Sequence, residues 1–201
     1  MLVVGLTGGL ATGKSTIGRV LAEHGCFLIR ADDLGHEALA RGGAAYEAVL
    51  QEFGGDILKE DGEIDRKRLG SLVFDSPERL NLLNKLVHPA VFRREEELLA
   101  EFREREPHGI AVLEAAILIE TGNHRRCDKV IVAICREEQQ IERAVRRDGI
   151  NHAEALARIR RQMPLAEKIR YADYVIDTSG EKEETLRQVD RVWLELRRFE
   201  Q

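Results

Sequence analysis

Apolar positions fall into strand-sized runs near both ends of the chain and into helix-spaced positions in the middle. Leu2 to Leu6, Cys26 to Ile29, Ile110 to Leu113, Val130 to Ile134 and Tyr174 to Ile176 each read as a short buried strand, too continuous in apolar character for a sheet with one wet face. After the first run, Ile17, Val20 and Leu21 recur at helical spacing, and Gly25 is suited to end that helix. From Gly42 to about Glu106 the pattern is almost wholly helical. It is broken at Gly54-Gly55-Asp56 and Asp61-Gly62, and restarted by Ser76-Pro77-Glu78, a cap with proline at the first helical position. His88-Pro89 reads as an interruption of this region. Leu186, Val189, Val192, Trp193 and Leu196 share one face of a last helix, which makes Trp193 a core residue. Strands alternating with helices predict an α/β fold in three layers, with a five-stranded parallel sheet.

Composition narrows this little, but charge and cysteine usage exclude some classes. The 201 residues, 43% of them hydrophobic, suit one soluble domain. The apolar runs are far shorter than the roughly 18 residues of a membrane span, and no basic, apolar leader precedes the first strand, so a cytoplasmic protein without a membrane partner is expected. Cys26, Cys127 and Cys135 have neither disulfide nor zinc spacing and read as free thiols. A net charge of −5 argues against a nucleic-acid partner. The segment from Arg136 to Arg170 nevertheless carries nine Lys/Arg against six Asp/Glu.

The first strand leads into Gly8-Gly9-Leu10-Ala11-Thr12-Gly13-Lys14-Ser15-Thr16, which satisfies G-x-x-x-x-G-K-[ST] between a strand and a helix. The glycines let backbone N–H groups converge on phosphate oxygens, Lys14 adds a point charge, and the following helix points its positive dipole end at the same place. Gly9, Ala11, Thr12, Gly13, Lys14, Ser15 and Thr16 are therefore the candidate residues for ATP phosphates, with the Ser15 hydroxyl placed to ligate Mg²⁺.

Acids follow two other strands. Of Asp32 and Asp33, after the second, one is expected to cap a helix from Leu34 to Ala40 and the other to face the terminal phosphate. Glu114 ends the third strand and is better placed than Glu120 to serve Mg²⁺. Arg143 and Arg147 share a helix face within a pair hinged at Asp148-Gly149, suited to a lid closing on phosphates, whereas Arg146, Arg158 and Arg160 are equally explained as solvated surface. The run Arg93-Arg94-Glu95-Glu96-Glu97 reads as a solvated helix face. His88 is either a helix-end residue satisfied by backbone or an acceptor contact.

Taken together, Gly5 to Thr16, Ala31-Asp32, Leu86-Val87-His88-Pro89, Leu118-Ile119-Glu120, Arg143 to Asp148 and Gln162-Met163-Pro164 through Asp177 resemble the dephospho-coenzyme A kinases over essentially the whole chain. The resemblance implies a P-loop kinase fold in a single domain, 1–201. Its core would be 1–31, 108–136 and 171–201, with a helical acceptor-binding insertion at 32–107 and an arginine-bearing lid at 137–170. It also implies transfer of the ATP γ-phosphoryl group to the ribose 3′-hydroxyl of dephospho-CoA, by a chain expected to act as a monomer or a homo-oligomer. In that scheme Asp32 activates the hydroxyl, His88 contacts the acceptor, Lys14 holds the β- and γ-phosphates, Ser15 and Glu114 serve Mg²⁺, and Arg143 and Arg147 stabilise the group in transfer. The chain departs from the family pattern at Arg30 (usually Asp), Ala116 (usually Pro) and Thr178 (commonly Asn).

Two alternatives are open to the residues alone. One is a P-loop kinase for a nucleoside monophosphate or small alcohol; the other is a nucleotide switch that transfers nothing. Asp32-Asp33-Leu34-Gly35 fits a switch's D-x-x-G by letter, but the built-in arginine pair favours a transferase.

Overall fold

The computed structural model describes residues 1–74 and 76–200. These form two compact units, one from residues 1–29 and 101–200, the other from the described residues between 30 and 100.

The first unit is built on a parallel sheet of β1 (Leu2–Gly8), β2 (Phe27–Arg30), β3 (Ile110–Glu114), β4 (Lys129–Ile134) and β5 (Tyr174–Asp177), in the order β2-β3-β1-β4-β5. The three central strands are buried nearly throughout and the two edge strands only in part, which is why the central sequences are continuous apolar runs. β1 pairs with β3 on one side and β4 on the other, with Leu6 beside Glu114 and Gly8 beside Ala133. The chain therefore reverses its direction of winding at β1, and the carboxyl end of that strand opens the crevice where such sheets bind ligands.

Helix α1 (Lys14–Glu23) and a later helix spanning Lys182–Leu196 pack on one sheet face through Ile17, Leu21, Val189 and Leu196, which join Val4, Leu6, Val112, Ile131 and Ile176 in the main core. Trp193 lies at the margin of this core, stacked on His24 with ring centroids 4.4 Å apart. Gly25, at φ +95°, ends α1 as its sequence suggested. Cys26 and Cys135 are buried, and among the described residues none of the three cysteines forms a disulfide.

The second unit contains helices α2 (Ala31–Leu39), α3 (Tyr46–Phe53) and α4 (Arg66–Phe74), and most of α5 (Pro77–Arg105). Ser76 caps α5 as predicted, its hydroxyl accepting the Arg79 N–H at 3.2 Å. Three expectations need correcting. α2 starts at Ala31 rather than Leu34, so Asp32 and Asp33 both lie in its first turn and neither is its cap. They complement the helix dipole from there. Helix α5 runs through Pro89 without a break. Val87, Val91, Glu95 and Leu99 form a buried stripe at four-residue spacing, and its burial offsets the roughly 3 kcal/mol that an internal proline costs. For the same reason Glu95 is only 1% exposed, whereas its neighbours Arg93, Arg94, Glu96 and Glu97 are solvated as expected. Among the described residues, no helix is long and apolar enough to cross a membrane.

Candidate active site

The phosphate loop occupies the turn from β1 to α1. A Cβ at Gly8 would overlap the Ala133 carbonyl oxygen and come within 2.6 Å of Thr12 Oγ1, so the loop fits against β4 only with glycine there. Gly13 precedes α1 at φ +86°, a conformation that costs side-chained residues about 1–2 kcal/mol. Ala11 has the same handicap without being glycine, at φ +54°. Thr12 closes the turn through hydrogen bonds from its N–H and Oγ1 to the Gly9 carbonyl. The Lys14 ammonium donates to the carbonyls of Gly9 (2.8 Å) and Gly8 (3.3 Å).

Over this loop lies a cavity of about 520 Å³ lined by Ala11 to Thr16, by Arg143, Arg146 and Arg147 of helix α6 (Glu137–Asp148), and by Thr178, Gly180, Lys182 and Thr185 at the start of the last helix. Five of these side chains are cationic and none is acidic. Combined with the positive end of α1, that lining selects a polyanion.

Thr178 ties the walls together. Its hydroxyl donates to the Thr12 carbonyl (2.9 Å) and accepts from Arg143 Nη1 (2.9 Å), while Arg143 Nη2 donates to the Thr178 carbonyl (2.6 Å). On the β3 side, Ser15 Oγ donates to Glu114 Oε1 at 2.8 Å. The register that sets Glu114 beside Leu6 makes this contact, with Glu114 only 6% exposed. A hydroxyl and a carboxylate side by side are hard oxygen donors. Among the described residues no cluster of three or more metal-ligating side chains occurs.

A family model described as dephospho-CoA kinase (CoaE) matches residues 2–184. The chain belongs to the dephospho-CoA kinase family. It is 43% identical to a protein named dephospho-CoA kinase from Carboxydothermus hydrogenoformans, over 93% of this chain and 90% of that one. Among solved structures, a protein from Thermus thermophilus superposes with a TM-score of 0.81 at 32% identity, covering 96% of each chain. A dephospho-CoA kinase from Campylobacter jejuni superposes at 0.73 and 26% identity, covering 99% of this chain and 98% of that one.

In this kinase the first unit gathers the phosphate loop, the Ser15–Glu114 pair, Arg143 and Arg147. The two arginines have different partners. Arg143 grips Thr178, whereas Arg147 donates from Nε and Nη2 to both carboxylate oxygens of Asp148 (2.7 and 3.0 Å) and thereby holds that acid below its usual range. Arg146, for which the sequence explains a solvated surface equally well, lines the same cavity. Asp32 and His88 belong to the second unit. Arg30 Nη1 lies 3.9 Å from Asp33, while the exposed Asp32 carboxylate has no hydrogen-bond or ion-pair partner among the described residues. His88 is half-buried and tilted against Phe92, and burial pushes its imidazole below its ordinary value, favouring the neutral ring.

Sequence reasoning missed Lys168, which is fully buried at the end of helix α8 (Leu165–Lys168). Its ammonium donates to the Ala116 carbonyl (2.6 Å) and to Glu120 (2.9 Å to Oε1), so Glu120 is held by an ion pair rather than offered to a metal. Its sequence neighbours, Glu167, Ile169 and Arg170, carry no signal of this; only the pairing with Glu120, 48 residues away, makes it legible. Lys168→Met keeps the stem but strands a carboxylate that is 23% exposed. Because solvent takes over part of the lost contact, the expected cost is about 2 kcal/mol, below the 3–5 of a fully buried pair. In thermal melts this is a drop of roughly 4–8 °C, and adding Glu120→Gln should restore part of it.

Proposed function

We propose that the kinase transfers the γ-phosphoryl group of ATP to the ribose 3′-hydroxyl of dephospho-CoA, forming coenzyme A and ADP in the last step of coenzyme A biosynthesis. The observation that carries this reading is the cationic cavity built on a complete phosphate loop, in a chain of this family. In it, Lys14 and the amides of residues 9–16 hold the β- and γ-phosphates, and Arg143 and Arg147 neutralise charge on the group in transfer. Arg147 can exchange its Asp148 partner for phosphate, as both are bidentate acceptors. Asp32, left open while Arg30 engages Asp33, orients the acceptor hydroxyl and accepts its proton. His88, kept neutral by burial, contacts the acceptor without adding charge.

Ser15 and Glu114 fit a Mg²⁺ ion bound mainly through substrate phosphates, since their adjacent oxygens are the donor types that ion takes and no richer carboxylate cage is present among the described residues. Held by Ser15 and Glu114, Mg²⁺ would supply charge neutralisation for the nucleotide phosphates. We assign residues 32–107 to acceptor binding and residues 137–170, with Arg143 and Arg147, to a lid that covers the phosphates while held in register with the phosphate loop.

ADP release from Mg-ATP, measured with dephospho-CoA, with nucleoside monophosphates and with no acceptor, tests the proposal. Turnover restricted to dephospho-CoA is expected. Equal turnover without acceptor would overturn it.

A further inference from the structure

We propose that Gln140 and Gln162 are positioning residues for phosphoryl transfer. Together they fasten the Leu10 backbone, so that the apex of the phosphate loop and the arginine-bearing helix pair behave as one body. The proposal rests on the kinase reading above.

The two contacts have opposite polarity. Gln140, 3% exposed on α6, donates from Nε2 to the Leu10 carbonyl at 2.8 Å. Gln162, just after helix α7 (His152–Arg160), accepts the Leu10 N–H on Oε1, also at 2.8 Å. Backbone polarity leaves no choice in how either amide is turned: a carbonyl needs the NH₂ group and an N–H needs the oxygen. Both hydrogen-bonding groups of one loop residue are thus taken by side chains 130 and 152 positions away.

Packing says the same independently. α6 and α7 enclose a small core of their own, Ile141, Ala144 and Ala155, separate from the core under the sheet, and Leu10 and Ala11 pack against it. Gly9 lies so close to the Gln140 amide that a Cβ would overlap it. Ala11, the next residue after the clamped one, is the alanine held at φ +54°. Such a conformation persists only where the surroundings over-determine it, and the clamp and the small core supply that determination.

The consequence for chemistry is geometric. Loop amides serve transfer only while aligned on the phosphates, and a misplacement of about 1 Å in such a site can cost about 100-fold. Because α6 also carries Arg143 and Arg147, the clamp sets the spacing between the two groups of phosphate ligands.

The polarity supplies the test. Gln162→Glu keeps an acceptor opposite the Leu10 N–H, whereas Gln140→Glu sets a carboxylate against a carbonyl. Steady-state turnover of Mg-ATP and dephospho-CoA should be measured well below each variant's melting temperature, with ADP affinity by titration as an acceptor-independent readout. Gln162→Leu and Gln140→Leu are each expected to lower kcat about tenfold, which is about 1.4 kcal/mol, with KM for dephospho-CoA changed less than twofold. Gln162→Glu should recover most of that loss, and Gln140→Glu should be at least as impaired as Gln140→Leu, in both turnover and ADP affinity. Equal losses in the two glutamate variants, or wild-type kcat in both leucine variants, would overturn the clamp. Absence of turnover in the wild-type protein would instead overturn the functional reading, and the ADP titration would still decide the polarity.

Discussion

Lys14→Met is expected to lower kcat by about 100- to 1,000-fold while leaving the free protein folded. The magnitude is that of removing one preorganised charge aimed at a transition state in a confined site. Lys14 sits at the start of α1 with its ammonium against the Gly8 and Gly9 carbonyls, and it is one of five cations around the cavity. In the free protein those hydrogen bonds are part-buried and solvent can replace them, so the melting temperature should move little. The thermal stabilisation produced by saturating ATP, about 2.7 kcal/mol at 100 times the dissociation constant, should shrink markedly. Arginine is not expected to rescue turnover, because its planar fork is bulkier than the compact ammonium the loop encloses. Wild-type kcat in Lys14→Met would remove the phosphate loop from the mechanism.

The parts of this site that were legible in the sequence are those written in local spacing. The phosphate loop is nine contiguous residues whose meaning depends only on a strand before and a helix after, and both are present. Arg143 and Arg147 were readable as one face because four residues is about one helical turn. Glu114 followed from its place at the end of an apolar run. Because Asp after a strand resembles a cap, the sequence predicts α2 three residues late; the helix begins at Ala31. Pro89 and Glu95 depart from expectation for a shared reason: propensity alone predicts a break at one and solvent at the other, but each lies in or beside a buried stripe whose packing overrides propensity. Gln140, Gln162 and Lys168 carried no local signal at all. Their roles are contacts across 48 to 152 residues, made by polar side chains of types that usually sit in solvent.

The α6–α7 pair shows how local and distant information combine. Its turn is specified nearby: Gly149 takes φ +65° at the end of α6, and Asn151 caps α7 in a reciprocal box with Glu154. Thr178 and the two glutamines then fix that pair against the loop, which no spacing rule within the pair foretells.

Asp32→Asn is expected to leave nucleotide binding nearly intact and to cost at least about 100-fold in kcat, the scale of a positioned general base. The substitution keeps the side chain's volume and its place in the first turn of α2, and removes only the charge and the ability to take a proton. Its neighbour is the internal control. Asp33 is also exposed and lies in the same turn, yet it is the one facing Arg30 at 3.9 Å. Asp33→Asn should therefore change kcat less than about fivefold, since an exposed pair of that length is worth about 1 kcal/mol or less. If helix-dipole complementarity were all that either acid contributed, the two variants would be equivalent in both stability and turnover. A large kcat loss confined to Asp32, with ADP affinity unchanged, assigns proton transfer to that carboxylate. Equal effects at the two positions would return both acids to a structural role and leave the acceptor hydroxyl to be activated by another group.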